Sequence, residues 1–364
     1  MARATKSATR EPIGAPDPRP APDAGVTDPP ERDRKAEHIR LALERRMQLG
    51  GRFFEGWAFE HCALPEIDFA EVDTTVEFLG KRLAAPLLIS CMTGGTDTAA
   101  RINENLARAA ERVGVAVGVG SQRKALEDPA TAATFVVRPA APTVPLLANL
   151  GAVQLNYGYG VDECRRAVEM IGADALVLHL NPLQEALQPE GNGNFAGLLP
   201  KMARVVRELE VPVIAKEIGC GISARTAREL ARIGITTIDV AGLGGTSWAR
   251  IEAARSGDLD LGETFADWGI PTPDCIRELA AIPGLSIIAS GGLRDGIDAA
   301  KSLALGADLA GMAYPFLAAA TESADAVEAK LRRTVQELRI AMFCAGARRV
   351  SDLRTATLRR RTAP

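Results

Sequence analysis

The sequence predicts an α/β fold: a (β/α)8 (TIM) barrel that follows a disordered, proline-rich N-terminal tail. Eight short apolar segments recur after residue 85, and helical patterns with one apolar face separate most of them. Continuous apolar strands that alternate with amphipathic helices form a parallel sheet covered by helices. Eight such units over about 250 residues favour a closed barrel. An open doubly wound sheet is the alternative, and it fits this count less well.

The region before the barrel differs sharply in composition. Residues 1–32 contain seven of the 22 prolines and almost no large apolar side chain, which is typical of disordered segments. We therefore expect two regions, a disordered tail over residues 1–32 and a barrel over residues 33–364. The spacing of apolar residues within ERDRKAEHIRLALERRMQ predicts a short helix where order begins.

Composition also limits the partners and the compartment. The chain has 364 residues and a formal net charge of −3, so nothing favours nucleic acid as a partner. Its six cysteines form no CxxC pair and no zinc spacing, which is typical of a reducing cytoplasm. No apolar run approaches the roughly 20 residues of a membrane span, and the basic N-terminus lacks the apolar core of a signal peptide. We expect a cytoplasmic protein without a membrane partner.

The predicted elements follow one another in a regular order. The eight strand segments are PLLISCM, VAVGVGS, VPLLANLG, ALVLHL, VPVIAKE, TTIDVAG, LSIIASGG and LAGMAY. The clearest helical patterns between them are TAARINENLARAAERVG, VDECRRAVEMIG, SARTARELARIG and GIDAAKSLALG. A last helical segment, AVEAKLRRTVQELRIAMFCAGA, extends the outer layer of helices.

The ends of the predicted strands carry the functional signal. Active sites of (β/α)8 barrels lie at the C-terminal ends of the strands. Almost every such end here is polar or rich in glycine: Met92-Thr93-Gly94-Gly95, Gly120-Ser121-Gln122-Arg123, Asn149, His179 with Asn181, Lys216-Glu217, Gly244-Gly245-Thr246, Gly291-Gly292-Leu293-Arg294 and Ala313-Tyr314. The sequence therefore predicts a site at this end of the barrel.

Two glycine-rich segments, ASGGLRDG and GADLAGMAY, stand at predicted strands seven and eight. Loops after these strands form the phosphate site of many barrels, where backbone N–H groups and a helix N-terminus attract an anion. Two tight turns are the alternative for a glycine pair taken alone. The position at strand seven favours phosphate binding.

Charged residues at the strand ends need partners. Lys216 ends predicted strand five, and a lysine that points into a barrel is costly unless it meets an anion. A salt bridge to Glu217 or Asp239 is the alternative to a role in ligand binding. The pair Arg34 and Lys35 adds positive charge where order begins, and a solvated basic surface is the alternative there.

The segment ALVLHLNPLQEALQPEGNGNF ends a strand on amides and one carboxylate. His179, at the strand end, is either a hydrogen-bonded core histidine or a functional one. Glu185 either binds Mg²⁺, which takes one or two carboxylates, or stabilises a helix N-terminus. Because amides are poor acids and bases, the cluster does not match a familiar hydrolase.

Together these motifs resemble the type 2 isopentenyl-diphosphate isomerases, a family of flavin-dependent barrels. The motifs that carry the similarity, in order, are RKAEHI, MTGGT, GSQR, NLGA, HLNPLQE, QPEG, PVIAKEIGCGIS, IDVAGLGGTSWARIE, ASGGLRDGIDAAKSLALGA and AMFCAGA. The resemblance implies interconversion of isopentenyl and dimethylallyl diphosphate, with FMN, Mg²⁺, and NADPH as the reductant of the flavin. It also implies a homo-oligomer, either a tetramer or an octamer.

Residue by residue, the resemblance implies four sets of roles. The catalytic set is Gln184, His179 and Asn181, and the metal ligand is Glu185. The substrate-binding set is Arg34, Lys35, Ser121, Arg123 and Gln184. The FMN set is Met92, Thr93, Gly94, Ser121, Asn149, Lys216 and Thr246, with the flavin phosphate on Gly292, Leu293, Arg294, Ala313 and Tyr314. The sequence departs from the family pattern at Leu243, where many members have arginine, and at Tyr314, where a smaller residue is expected.

Two other functions stay open at this point. An FMN-dependent 2-hydroxy-acid oxidoreductase shares the barrel and the phosphate loop, but it uses a histidine late in the barrel, and no histidine follows His179 here. A flavin-binding protein without catalysis is the second alternative. The set of charged groups for a diphosphate argues against it, because burying such groups without a ligand costs stability.

Overall fold

The computed structural model describes residues 34–44, 47–49 and 53–361. The predicted disordered tail over residues 1–32 lies outside the described residues. The strands are β1 Trp57–Phe59, β2 Val76–Phe78, β3 Lys81–Leu83, β4 Leu87–Ile89, β5 Ala116–Gly118, β6 Leu146–Gly151, β7 Ala175–Leu180, β8 Val213–Glu217, β9 Thr237–Asp239, β10 Ser286–Ala289, β11 Leu309–Met312 and β12 Leu358–Arg360.

Helices connect and surround these strands. The α-helices are α1 Arg34–Leu43, α2 Asp97–Val113, α3 Arg123–Glu127, α4 Val161–Ile171, α5 Pro182–Leu187, α6 Leu198–Glu208, α7 Ala224–Arg232, α8 Trp248–Ser256, α9 Leu259–Thr264, α10 Thr272–Ala280, α11 Gly296–Ala304, α12 Tyr314–Glu322 and α13 Ala324–Cys344. Short 3-10 helices lie at Phe53–Gly56, Phe69–Glu71, Pro129–Thr134, Arg138–Ala140, Ala152–Asn156 and Val350–Thr355. Among the described residues, no helix is both long enough and apolar enough to span a bilayer.

Strands β4 to β11 form a closed barrel in chain order, and β11 pairs with β4 to complete it. All eight pairings in the barrel are parallel. The predicted (β/α)8 barrel is therefore confirmed, and each of the eight predicted segments contains one of its strands. The paired stretches are shorter than the apolar segments: β9 ends at Asp239, and Ala241 just beyond it has a positive φ of 35°.

Alternation along each strand divides the apolar side chains between two cores. Leu88, Leu147, Val177 and Ile288 fill the inside of the barrel. Their neighbours along the chain, such as Leu87 and Ile89, instead pack against the surrounding helices. This double burial explains why the strands read as continuous apolar runs.

A hairpin of β2 and β3 closes the N-terminal end of the barrel. Its turn residues, Leu79 and Gly80, have positive φ values of 51° and 71°, as a two-residue hairpin turn with matching twist requires. Phe78 and Leu83 from this hairpin are buried in the inner core. With one end filled by apolar side chains, only the opposite end is left to hold a site.

Candidate active site

The C-terminal ends of the barrel strands, which we call the mouth, meet at one end because all eight strands are parallel. Strand register sets His179 of β7 beside Lys216 of β8, and Lys216 beside Asp239 of β9. The residues predicted to bind flavin lie within or after seven of the strands. They are Met92, Thr93 and Gly94 after β4, Ser121 after β5, Asn149 in β6, Lys216 in β8, Thr246 after β9, Gly292, Leu293 and Arg294 after β10, and Ala313 and Tyr314 after β11.

Lys216 is buried in a network of its own. Its Nζ lies 3.2 Å from Asp239 Oδ2 and donates to the backbone oxygen of Glu217 at 3.0 Å. Ser290 Oγ donates to the other oxygen of Asp239 at 2.5 Å. Of the two salt-bridge partners that the sequence offered, Asp239 is the one that pairs with Lys216. This pair places a compensated cation at the mouth rather than an isolated one.

Glu217 has a different role from the one the sequence suggested. Its Oε2 accepts four backbone N–H groups, from Ile218, Gly219, Cys220 and Gly221, at 2.5 to 3.2 Å. Burial raises the pKa of Glu217 to about 7, although these N–H donors and Lys216 favour the ionised form. The carboxylate therefore fixes the loop that follows β8 instead of pairing with the Lys216 ammonium.

The glycine loops after β9 and β10 pack directly against each other. A side chain at Gly292 would place a Cβ 2.7 Å from the carbonyl carbon of Gly244, and Gly292 has a positive φ of 84°. Arg294 Nη2 donates to the backbone oxygens of Leu49 and Gly244 at 3.2 and 3.4 Å. Only glycine allows this close approach, so the two loops after β9 and β10 pack backbone against backbone.

His179 is held by a single side chain from the neighbouring strand. Its Nδ1 lies 2.7 Å from Asn149 Oδ1, and since an amide oxygen only accepts, Nδ1 carries the proton and Nε2 a lone pair. Burial and the charges of Lys35 and Lys216 lower the pKa of His179 to about 3. The imidazole is therefore neutral, and Lys35 of α1 faces it.

The amides of HLNPLQE form a connected chain of hydrogen bonds. Asn181 Nδ2 donates to Gln184 Oε1 at 2.9 Å and to Glu185 Oε1 at 3.0 Å. Asn181 is 3% exposed, and its Oδ1 has no partner among the described residues. An amide oxygen that is buried without a donor marks a place where a ligand completes the site.

Glu185 is enclosed by further donors. Gln188 Nε2 and the backbone N–H of Asn192 each donate to Glu185 Oε2 at 2.6 Å. The chain passes so close that a Cβ at Gly191 would lie 1.8 Å from the backbone oxygen of Glu185. In the part of the chain that the structure describes, no group of three or more His, Cys, Asp or Glu residues could hold a metal ion. Any cation here would rely on one carboxylate, an amide oxygen and water.

Glu252 on α8 was given no role from the sequence, yet it holds Gln184. Its side chain is fully buried, and its Oε1 accepts from Gln184 Nε2 at 2.7 Å while His38 Nε2 lies 3.1 Å away. Burial alone would raise the pKa of Glu252, but His38, Gln184 and Arg255 outweigh it and hold the pKa below its ordinary value. The sequence signal for Glu252 and His38 was their place in two motifs that carry the family resemblance, IDVAGLGGTSWARIE and RKAEHI.

The residues predicted to bind the substrate diphosphate are brought together in part. Arg34 begins α1, but its side chain lies outside what the structure describes. Burial, with the charge of Lys35 as a smaller cause, lowers the pKa of both His38 and His179. Arg123 begins α3, where its Nε donates to Glu127 Oε1 at 2.7 Å within the same helix. Ser121 is half-buried just before that helix.

A small cavity of about 10 Å³ adjoins Gln184. Its walls come from the loops after β8 and β9 and from α5, α8 and the segment that follows α9. Apolar side chains dominate them, among them Leu183, Leu243, Trp248, Phe265 and Trp268. A space of this size holds one water at most, so it marks an apolar surface beside the Gln184 amide rather than a pocket already shaped for a ligand.

Comparisons with known proteins identify relatives of this chain. A family model described as FMN-dependent dehydrogenase matches residues 195–360. The isopentenyl-diphosphate delta-isomerase of Nostoc sp. is 52% identical over 327 residues, 88% of this chain and 93% of that protein. The protein of the same name from Paracoccus zeaxanthinifaciens is 51% identical over 88% of this chain and 95% of its own length. The one from Rickettsia bellii is 48% identical over 90% of this chain and 97% of its own length.

Solved structures with the same fold are more distant in sequence. A mandelate oxidase variant with benzaldehyde superposes with a TM-score of 0.62 at 20% identity, over 89% of this chain and 90% of that one. A variant with (S)-mandelic acid gives a TM-score of 0.61 at 20% identity, over 90% and 91%. These matches support the barrel fold alone, whereas the relatives at half identity cover nearly the whole chain. The chain belongs to the isopentenyl-diphosphate delta-isomerase family.

Proposed function

We propose that this protein interconverts isopentenyl and dimethylallyl diphosphate with reduced FMN, Mg²⁺, and NADPH as the reductant of the flavin. The observation that carries the proposal is the fixed amide of Gln184, held between Asn181 and Glu252 at the mouth. Relatives that are about 50% identical to this chain are named isopentenyl-diphosphate delta-isomerase. A site built from amides needs another group to donate and accept protons.

The residues at the mouth fit FMN. Thr93 Oγ1 and Arg294 Nε are buried and have no partner among the described residues, and the glycine loops after β9 and β10 lie close together beside Arg294. Bound FMN in its reduced form would supply the proton donor and acceptor that these side chains lack. We assign FMN to Met92, Thr93, Gly94, Ser121, Asn149, Lys216 and Thr246, and its phosphate to Gly292, Leu293, Arg294, Ala313 and Tyr314.

Lys216 and Asp239 have a defined task in this arrangement. Lys216 is 7% exposed and already paired, so its ammonium stays in place beside the ring site without the cost of an uncompensated charge. A fixed ammonium favours an anionic group next to it. Asp239 in turn is oriented by Ser290.

The diphosphate end of the substrate would lie between α1 and the loop around Glu185. Arg34, Lys35, Ser121 and Arg123 supply donors for phosphate oxygens, whereas His179 offers a lone pair at Nε2. The charge of Lys35 is the second cause, after burial, of the lowered pKa of His179, which supports placing Lys35 on the same side of the mouth. The set Glu185 and Asn181 Oδ1 offers one carboxylate and one amide oxygen to Mg²⁺, which keeps most of its waters.

The hydrocarbon end would then reach Gln184. Asn181 fixes the Oε1 end of Gln184 and Glu252 fixes the Nε2 end, so the amide plane cannot rotate freely. His179 remains neutral and can accept a hydrogen bond at Nε2 from a protonated phosphate oxygen. We assign orientation of the alkenyl group to Gln184, with His179 and Asn181 completing the catalytic set.

An anaerobic assay tests this function directly. Purified protein with FMN, Mg²⁺, NADPH and isopentenyl diphosphate is expected to form dimethylallyl diphosphate without net oxidation of NADPH beyond the first flavin reduction. An FMN-dependent 2-hydroxy-acid oxidoreductase is not favoured. Such an enzyme uses a histidine late in the barrel, and the three histidines of this sequence are His38, His61 and His179, so none follows His179. Steady flavin reduction by lactate or mandelate, with no isomerisation, would reverse that choice.

We also propose a cytoplasmic homo-oligomer, a tetramer or an octamer. The proposal follows from the family resemblance, and the six cysteines without a disulfide are consistent with a reducing compartment. Light scattering on the FMN-loaded protein measures the assembly, and a monomeric mass would refute it.

A further inference from the structure

Arg255, one turn after Glu252 on α8, is surrounded by carboxylates at the edge of the mouth. Its side chain is 11% exposed. Its Nη1 lies 2.6 Å from Glu252 Oε2, its Nη2 lies 2.8 Å from Glu190 Oε1, and its Nε lies 3.3 Å from Glu37 Oε2. We call these four residues the Arg255 hub.

Each carboxylate of the Arg255 hub belongs to a different segment. Glu37 lies on α1, Glu190 on the loop that follows α5, and Glu252 on α8 itself. One guanidinium therefore joins two segments that are far apart in sequence to α8, whose Glu252 accepts a hydrogen bond from Gln184. The five N–H donors of arginine and its permanent charge suit this task, whereas a lysine ammonium would not span three partners in one plane.

The two segments adjoin the groups that we assign to the diphosphate and to Mg²⁺. Helix α1 bears Lys35 two residues before Glu37, and the loop after α5 donates the Asn192 N–H to Glu185. Neither segment belongs to the barrel wall. Short helices and loops at a protein surface open more easily than barrel strands, so a tie between them decides how well they are placed.

Exposure within the Arg255 hub separates its inner and outer parts. Glu252 is fully buried, whereas the Glu37 side chain is 16% exposed and that of Glu190 is 45% exposed. Removing Arg255 would leave the buried Glu252 without its cation, which destabilises the fold. Removing a charge at Glu37 or Glu190 leaves the Arg255–Glu252 pair intact.

We propose that Arg255 is a positioning residue that holds α1 and the loop over residues 188–192 together across the mouth, so that Lys35 of α1 reaches the substrate diphosphate and the loop keeps Glu185 oriented for Mg²⁺. This inference rests on the proposed function and deepens it. It also explains why a glutamate follows the proline in QPEG: Glu190 is the contact that ties this loop to α8.

Hydrogen exchange of the FMN-loaded protein tests the tie without reference to activity. Glu37→Gln is expected to speed exchange in α1 alone, and Glu190→Gln in residues 188–192 alone. Arg255→Gln is expected to speed both. Arg250→Gln is the matched control, since Arg250 lies on the same helix and pairs with Glu263 of α9; it should change neither segment.

Steady-state kinetics then test the link to the diphosphate. We expect KM for isopentenyl diphosphate to rise about fivefold in Glu37→Gln and in Glu190→Gln, with kcat within about twofold of wild type and FMN affinity unchanged. A wild type that turns over isopentenyl diphosphate, with both variants keeping its KM and its exchange pattern, would overturn the inference. If the wild type does not turn over isopentenyl diphosphate but the exchange pattern appears, the proposed function fails and the tie between the segments stands.

Discussion

The two ends of the barrel both contain charged groups that are at least half-buried, but the partners of these groups differ. At the closed end, Asp174 before β7 has a donor on each oxygen: Lys81 Nζ lies 2.7 Å from Oδ1, and Arg138 Nη2 and the Leu146 N–H donate to Oδ2 at 2.7 and 2.8 Å. Burial alone would raise the pKa of Asp174, but these contacts hold the pKa below its ordinary value. The chain itself completes this cluster.

At the mouth the chain leaves polar atoms incomplete. Asn181 Oδ1, Thr93 Oγ1 and Arg294 Nε are buried, and none has a partner among the described residues. Buried polar groups in native proteins are nearly always paired, so a ligand is our explanation for these three atoms at the mouth. The closed end of the barrel therefore contributes stability, whereas the mouth is less stable than it could be because it leaves polar atoms for a ligand.

The largest expected effect at the mouth comes from Gln184→Ala. The variant loses the amide that Asn181 and Glu252 fix, and we expect kcat for isomerisation to fall about 10³-fold, while the purified protein stays yellow with bound FMN. Gln336→Ala on the exposed face of α13 is the control and should leave kcat unchanged. Loss of flavin from Gln184→Ala would make Gln184 a structural residue and contradict its catalytic assignment.

At the closed end, Asp174→Asn should act on stability instead. It leaves Lys81 and Arg138 facing each other without a carboxylate, and we expect a loss of about 3 kcal/mol in the free energy of unfolding. Since the folded pKa of Asp174 is lowered, its contribution is present above its ordinary pKa and is lost as pH falls below it. Denaturant unfolding at neutral and acidic pH measures this difference.

The matched control is Asp162→Asn, because Asp162 pairs with Arg165 but is 87% exposed. This variant should lose little stability, as exposed pairs contribute little. Equal losses in the two variants would contradict the importance of the buried cluster, and so would a fall in kcat of folded Asp174→Asn.

Glu252→Gln should produce an intermediate effect on activity. The glutamine still accepts a hydrogen bond from Gln184, but the charge that faces Arg255 and His38 is gone, so we expect kcat to fall about tenfold with KM nearly unchanged. Glu263→Gln, at an exposed pair with Arg250, is the control. A rise in KM alone would show that Glu252 acts on substrate binding rather than on the Gln184 amide.

A further expected effect concerns the pH dependence of stability at His179. The folded pKa is about 3 and the ordinary value is 6.5, so the unfolded chain binds a proton that folded His179 does not. Stability is therefore lost as pH falls from about 7 to about 4. His179→Asn should lose less stability than the wild type over this range, measured as Tm against pH. His61→Asn, at an exposed position, should follow the wild type, and identical curves for His179→Asn would contradict the burial of a neutral imidazole.

The sequence predicted the barrel and the residues at its mouth for the same physical reason. Strands buried on both faces must be apolar throughout, and parallel strands in a closed sheet must end at one side. Strand-end residues such as His179 and Lys216 therefore fall together whatever the details of packing. That part of the site needed no knowledge of side-chain geometry.

Contacts between helices and strand ends could not be predicted in this way. Gln184 and Glu252 are 68 positions apart, and their contact depends on where α8 packs against α5. The choice of Asp239 over Glu217 as the partner of Lys216 depends on four N–H groups that occupy the Glu217 carboxylate. Residue types and spacing carry no record of such lateral distances, so these partners become visible only in three dimensions.

Hydrogen exchange on addition of ligands tests the contrast between the two ends most directly. The protein is compared alone, with FMN, and with FMN, Mg²⁺ and isopentenyl diphosphate. We predict that protection rises at the mouth, over residues 92–95, 181–192 and 291–294, and that the hairpin over residues 76–83 and the backbone around Asp174 stay unchanged. Equal protection at both ends, or none at the mouth, would contradict the account.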